Sequence, residues 1–287
     1  MTDLSGQVAV ITGGNSGIGK ETAAALAGMG AHVIIAARNP AKAAAAVQEL
    51  QQRAPDATVE HLPLDLASFA SVRAFADTFD ARFECLDVLV NNAGGTLHKR
   101  TVTEDGHETQ FQVNHLSHFL LTALLRERLE AAPAARVINV SSTGHTFARH
   151  GLDFDDLDCE RHKYRGFLVY CQTKLANVLF TRELARRHDE TNVTANAVHP
   201  GYVRSKFARE GDMGAVVGTV MILGRPFAIS SAAGARTSVY LASSHDVDGI
   251  TGQYFYKCRV AKPSDAALDD AAAARLWEVS AELTGVS

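Results

Sequence analysis

Tyr170 and Lys174 stand four residues apart in Tyr170-Cys171-Gln172-Thr173-Lys174, inside a segment whose pattern predicts a helix from Leu168 to His188. Residues i and i+4 share a helix face, so this spacing can aim a phenol and an ammonium into one cleft. A free phenol titrates near ~10, too high for ready proton exchange at neutral pH. A fixed neighbouring cation stabilises the phenolate and lowers that value. Lowering it by about three units takes roughly 4 kcal/mol of differential stabilisation, more than one solvated ammonium supplies. A second positive charge is needed for that chemistry. Taken alone, the pair is also what a solvated helix surface carries, so the surrounding elements must decide.

Those elements alternate. Val8–Thr12 is a short apolar run closed by glycines, and a helical pattern follows from Ile18 to Met29. Strand-like runs recur at Ala31–Ala37, Thr58–Leu62, Leu86–Val90, Arg136–Val140 and Val193–Val198. Helical patterns lie between them: an Ala-rich one beginning near Pro40, one from Ser68 (a candidate N-cap) to Phe83, and one from Glu104 to Glu130 in two pieces. Apolar strands alternating with amphipathic helices imply a parallel sheet covered on both faces. The expected architecture is α/β: one doubly wound domain over residues 1–287, with a sheet of about seven strands.

Composition narrows the class. At 46% hydrophobic and 21% charged residues, the 287-residue chain is ordinary globular material. A formal net charge of −4 gives no basis for binding nucleic acid or anionic membrane. Four cysteines without a CxxC pair fit a reducing compartment rather than a disulfide framework or zinc site. The start of the chain shows no signal-peptide pattern, and the longest apolar runs fall short of the ~20 residues of a spanning helix. A cytoplasmic protein without a membrane anchor is expected.

The stretch Thr12-Gly13-Gly14-Asn15-Ser16-Gly17-Ile18-Gly19 lies at the first strand-to-helix junction. Glycines let the backbone approach a phosphate there, and the helix N-terminus offers N–H groups and partial positive charge. Its position makes the motif informative. The second strand ends Ala36-Ala37-Arg38, without the carboxylate that would hold the ribose 2′-hydroxyl of NAD. Arg38 suits a 2′-phosphate, which predicts NADP(H), whose oxidised nicotinamide also carries the second cation. Asp65 and Leu66 end the next strand, where a carboxylate can accept from the adenine amino group. Asn91-Asn92-Ala93-Gly94 ends the fourth with small residues that admit the cofactor.

Asn139-Val140-Ser141-Ser142 closes the fifth strand, where a serine hydroxyl can hydrogen-bond a substrate carbonyl oxygen. Asn114 sits in an otherwise apolar helical stretch, where a polar side chain caps, bonds or orders water. The ordered set of TGxxxGIG, NNAG, Asn114, a strand-end serine, YxxxK and the His199-Pro200-Gly201 turn resembles the short-chain dehydrogenase/reductase family over almost the whole chain. The resemblance implies Tyr170 as general acid in reduction and base in oxidation. It implies Lys174 on the nicotinamide ribose, lowering the tyrosine's pKa. Ser142 is the matching serine, Ser141 being read as a strand-end hydroxyl that satisfies backbone groups. Asn114 would hold a water that links Lys174 to solvent. Beyond Pro200 and Gly201, Val203 and Ser205 would contact the carboxamide, Arg204-Ser205 standing where the family has a threonine.

A closer resemblance, to the retinol dehydrogenase-like branch, rests on Ala37-Arg38-Asn39, Ser142-Thr143-Gly144-His145, Tyr170–Asn177 and Val198–Ser205. Membrane-bound members of that branch carry an N-terminal anchor that this sequence lacks, so a soluble ketone or aldehyde reductase fits equally. The small-molecule substrate is read as a bulky hydrophobic carbonyl or alcohol, from the apolar residues among 206–227. Region 203–228 is read as a substrate lid, and residues 147–166 as a polar insert beside the chemistry. The family's habit of pairing through the helices carrying Asn114 and Tyr170 implies a homodimer or homotetramer. His115 and His118, at i and i+3, have no third ligand cluster, so no metal is expected. His145 is read as a polar wall of the substrate pocket, and His150 and His162 as solvated insert residues. Two rivals remain. A silent dinucleotide-binding sensor would expect an eroded Tyr170 or Lys174, and an epimerase or dehydratase a TGxxGxxG turn and a larger C-terminal domain.

Overall fold

The computed structural model describes residues 2–203 and 228–286. The strand–helix alternation begins β1 (Val8–Thr12), α1 (Gly17–Ala27), β2 (His32–Ala37), α2 (Pro40–Arg53), β3 (Val59–Pro63), α3 (Phe69–Asp80) and β4 (Val88–Asn91). A helical run follows as α4 (Thr109–Phe111), a π turn (Gln112–Leu116), α5 (Ser117–Leu124) and α6 (Arg126–Ala131). Then come β5 (Ala135–Val140), a 3₁₀ turn (Thr143–Phe147), α7 (Gly166–Arg187) and β6 (Val193–His199). The chain closes with α8 (Ser231–Ser243), β7 (Tyr254–Tyr256), β8 (Arg259–Val260) and α9 (Asp270–Thr284).

The strands form one sheet in the order β3-β2-β1-β4-β5-β6-β7-β8. β1 to β7 pair in parallel, and β8 adds a two-residue antiparallel edge that the sequence pattern did not indicate. Alternate side chains of each central strand enter opposite cores. Val10, Ile34 and Leu89 face Phe75, Phe79 and Phe119 on one side, while Ile11, Ile35 and Val90 share the other with Ala23, Leu26 and Leu241. Strands buried on both faces read as continuous apolar runs, which is why they were visible in the sequence. The strand order reverses between β1 and β4, and the crevice at such a switch point lies beyond the strands' carboxyl ends.

The helix expected from Glu104 begins only at Thr109. Gly106 adopts φ +91°, Val102 bridges Glu108, and the Glu108 carboxylate accepts the Phe111 N–H at 2.8 Å as the cap of α4. Ser68, Asn39, Ser230 and Asp269 cap α3, α2, α8 and α9 through their side chains. The last helix, α9, lies across α7 and α5. Trp277 packs edge-on against Phe119, with ring centroids 4.9 Å apart, beneath the Arg187 guanidinium at 4.6 Å. Arg182–Asp270 and Arg187–Glu278 ion pairs, both at 2.6 Å, hold the two helices together. Of region 203–228, residues 204–227 lie outside the described residues, and with them the expected lid and Ser205.

Candidate active site

The β1–α1 turn is built by glycine. Gly13 and Gly17 have φ +65° and +57°, a left-handed conformation that costs glycine little. Across the turn, Asn92 binds β1 from the end of β4. Its Nδ2 donates to the Thr12 carbonyl at 2.8 Å, and the Asn92 and Ala93 N–H groups both donate to Thr12 Oγ1 at 2.9 Å. Gly13 and Ala93 thus form one small-residue wall. Ser16 occupies the N-cap of α1 yet makes no side-chain capping bond, and no acidic residue stands in the first turn. A helix start of this kind, lined by Asn15, Ser16, Ile18 and Gly19, presents N–H groups and partial positive charge to an anion.

Arg38, 74% exposed, stands at the end of β2 with its Nη1 3.8 Å from Asp65 Oδ2. The Asp65 carboxylate also accepts the Ala67 N–H at 3.0 Å, and Leu66 beside it is buried. Arg38 and Asp65 therefore face one another across the place where two adjoining strands end. A uniformly acidic strand end would repel a phosphate; here a guanidinium fronts it.

Around the ends of β4, β5 and β6 the remaining residues converge. Tyr170 and Lys174 lie on the same face of α7, Lys174 Nζ standing 5.7 Å from the phenol ring centre. The Ser142 hydroxyl is hydrogen-bonded to Tyr170 and accepts the Gly144 N–H at 3.0 Å. Lys174 is buried and donates to the Val140 carbonyl at 2.9 Å. Ser141 points the other way, its hydroxyl donating to the Lys174 carbonyl at 2.7 Å, a backbone-satisfying role as expected. The Asn114 amide is committed to Gly95, accepting its N–H and donating to its carbonyl, both at 2.9 Å, and to Thr173 Oγ1 at 3.1 Å. Gly94 passes close to both Asn114 and Lys174: a Cβ built on it would lie 2.8 Å from Asn114 Oδ1 and 3.5 Å from Lys174 Nζ.

The protein's own groups do not depress the phenol. Burial pushes Tyr170 up to about 12, with the Ser142 hydrogen bond pulling the other way, and brings Lys174 down to about 8. The ammonium is turned toward the Val140 carbonyl, so the protein's own groups leave the phenol protonated at neutral pH. Lowering it depends on added positive charge.

Several histidines prove structural. His118 Nε2 meets Thr12 Oγ1 at 3.0 Å and His115 Nε2 meets Ser280 Oγ at 2.9 Å, so the two rings have separate partners and share no ligand site. His199 Nδ1 accepts the N–H groups of Thr143 at 3.3 Å and Gly201 at 3.4 Å, which fixes the turn through Pro200 toward Val203. His145, expected on the pocket wall, is instead buried beneath Ser142. In the insert, Asp153, Asp156 and His162 bring their polar atoms within 4.8 Å of one another, but the Asp156 carboxylate already accepts the backbone N–H groups of Glu160, Arg161 and His162. The sequence reading missed Thr12, Thr173 and His199 as the groups that hold the site together. Only their placement next to named motifs could have signalled them.

The family model for short chain dehydrogenase matches residues 7–152, and that for enoyl-(acyl carrier protein) reductase matches residues 156–257. Human retinol dehydrogenase 12 is 44% identical over 283 residues, covering 99% of this chain and 88% of its own. Human retinol dehydrogenase 13 is 41% identical over 286 residues, covering 99% and 86%. Among solved structures, an uncharacterized protein from Mycobacterium paratuberculosis superposes with a TM-score of 0.81 at 35% identity, covering 100% of this chain and 96% of that one. A Pseudomonas aeruginosa RhlG/NADP active-site complex gives 0.69 at 25%, covering 88% and 95%. The chain belongs to the short-chain dehydrogenase/reductase family of oxidoreductases. Within it, the chain is retinol dehydrogenase-like. No described helix is long and apolar enough to cross a membrane.

Proposed function

We propose that this chain interconverts a ketone or aldehyde and its alcohol with NADP(H), Tyr170 exchanging the proton. The observation that carries the reading is the meeting of Ser142, Tyr170, Lys174 and Asn114 beyond the ends of β4 and β5, beside a glycine turn at an uncapped helix start. The residues fit a nicotinamide dinucleotide. The turn from Gly13 to Gly19 would hold the pyrophosphate, Arg38 a 2′-phosphate, Asp65 and Leu66 the adenine, and Asn92, Ala93 and Gly94 the inner ribose. Pro200, Gly201 and Val203 would flank the carboxamide.

The cofactor supplies hydride to the carbonyl carbon in reduction and accepts it in oxidation. Ser142 Oγ–H would orient the carbonyl oxygen as charge develops on it, and the Tyr170 hydroxyl would give that oxygen its proton. Lys174 would bind the ribose hydroxyls and restore the proton. The Asn114 side chain being committed to Gly95 and Thr173, a relay water would meet its main-chain carbonyl, set in the π turn and approached by His118 Nδ1 at 3.3 Å. Such π turns recur at functional sites.

A bulky apolar substrate is supported by Phe147 and Leu168, exposed on the segments that flank Ser142 and Tyr170, and by the retinol dehydrogenase relatives. The test is NADPH oxidation by wild type and Tyr170→Phe on aromatic, steroid-like, retinoid and polyketide-like carbonyls. Turnover lost in the variant supports the reading. NADPH binding with no turnover on any carbonyl would favour a dinucleotide sensor instead, and turnover of small polar carbonyls alone would remove the apolar-substrate reading.

A further inference from the structure

His145 is 1% exposed, and its ring is held at both nitrogens. Nδ1 lies 2.6 Å from the Ser142 carbonyl oxygen, which can only accept, so Nδ1 carries the proton. Nε2 receives the Ser264 N–H at 3.0 Å, so it is the bare nitrogen. Two contacts thus fix one neutral tautomer. The ring packs against Tyr254 of β7 with centroids 4.9 Å apart, and the His145 backbone N–H donates to the same Ser142 carbonyl at 3.2 Å. The serine whose hydroxyl meets Tyr170 therefore has its own carbonyl clamped twice by one residue, and that residue is anchored to the segment leading from β8 into α9.

We infer that His145 is a positioning residue: its Nδ1–H holds the Ser142 backbone so that Oγ faces Tyr170, while its Nε2 ties the 261–268 segment to the same serine. The inference rests on the proposed carbonyl chemistry for its kinetic consequence, but its geometry can be read without any substrate. The two bonds can be separated by substitution. An asparagine amide can stand where Nδ1 stands and donate to Ser142. A glutamine reaches the Nε2 position and can accept from Ser264.

In His145→Asn, kcat should stay within about threefold of wild type while the Ser264 amide loses hydrogen-exchange protection. In His145→Gln, Ser264 should stay protected while kcat falls at least tenfold at little-changed KM. Adding Ser142→Ala to His145→Gln should cost much less than Ser142→Ala does in wild type, because the serine would already be misplaced. Equal kcat in both variants, or full additivity with Ser142→Ala, overturns the positioning role. Nitrogen-15 spectra of the wild-type imidazole give an independent reading. A neutral Nδ1–H ring supports the inference and an Nε2–H ring overturns it, whether or not a substrate has been found. Failure of turnover on every carbonyl would count against the proposed reaction and leave the spectra to decide the geometry.

Discussion

Replacing Arg38 by alanine should shift cofactor choice by an amount the structure bounds. A guanidinium on a 2′-phosphate makes charge-assisted hydrogen bonds of about 1.5–3 kcal/mol. Arg38 is 74% exposed, so solvent weakens that interaction. It must also turn from Asp65 at 3.8 Å, a pair that in water is held by only about 1 kcal/mol. The net is on the order of 1–2 kcal/mol, or roughly five- to thirtyfold in the NADPH/NADH ratio of kcat/KM. Initial rates with each cofactor at fixed carbonyl concentration measure it. The loss should fall on NADPH, with NADH unchanged or improved, and should shrink as salt is raised. An unchanged ratio, or equal loss with both cofactors, would refute the placement of a 2′-phosphate at Arg38. Asp65→Asn offers the opposite sign: freed of its partner, Arg38 should favour NADPH slightly more.

Other outcomes follow from the same geometry. Tyr170→Phe should lower kcat by a thousandfold or more while NADPH fluorescence titrations stay within about threefold of wild type, as expected of a proton donor rather than a binding group. Acid should destabilise the fold below pH 6.5. His118 and His199 are held neutral by burial, down to about 4, so as pH falls from 6.5 toward 4 the unfolded chain takes up protons the native one refuses. Each contributes a loss on the order of 1.4 kcal/mol per pH unit across that window. Urea midpoints at pH 7, 5.5 and 4.5 should fall in step, and a flat series would contradict the burial argument. Gly166→Ala should unfold the start of α7 or abolish turnover, since a Cβ there would lie 1.8 Å from the Leu97 carbonyl oxygen; wild-type melting and rate would show the approach to be looser than described.

Much of this was legible because strand ends are where the sheet meets its ligand. The apolar runs ending in Thr12, Ala37, Asn91 and Val140 could be found by composition, and residues just beyond them had to share one crevice. Helical periodicity put Tyr170 and Lys174 on one face, and only the strand-end motifs around them marked that face as a site rather than a solvated surface. Other features depended on information that composition does not carry. The hairpin joining β7 to β8 turns on Lys257 and Cys258, at φ +51° and +58°, with none of the Asn or Gly that normally marks such a turn. Helix α4 is capped by a glutamate, a weak N-cap type, so its start was placed too early. The phenol's high pKa reflects burial and the direction of the lysine, both set by packing. His145 reads as a polar pocket residue until its two partners, 3 and 119 residues away, are seen.

Helix α9 has a consequence for α7. Trp277 and the Arg182 and Arg187 ion pairs seat α9 on α5 and α7, so that the C-terminal half of α7 is tied to a later part of the same chain. The chain's own C-terminal helix thus braces the helix that bears Tyr170 from within one polypeptide. This part of the support of α7 does not depend on protein concentration, so the protection of its C-terminal half against hydrogen exchange should stay constant on dilution.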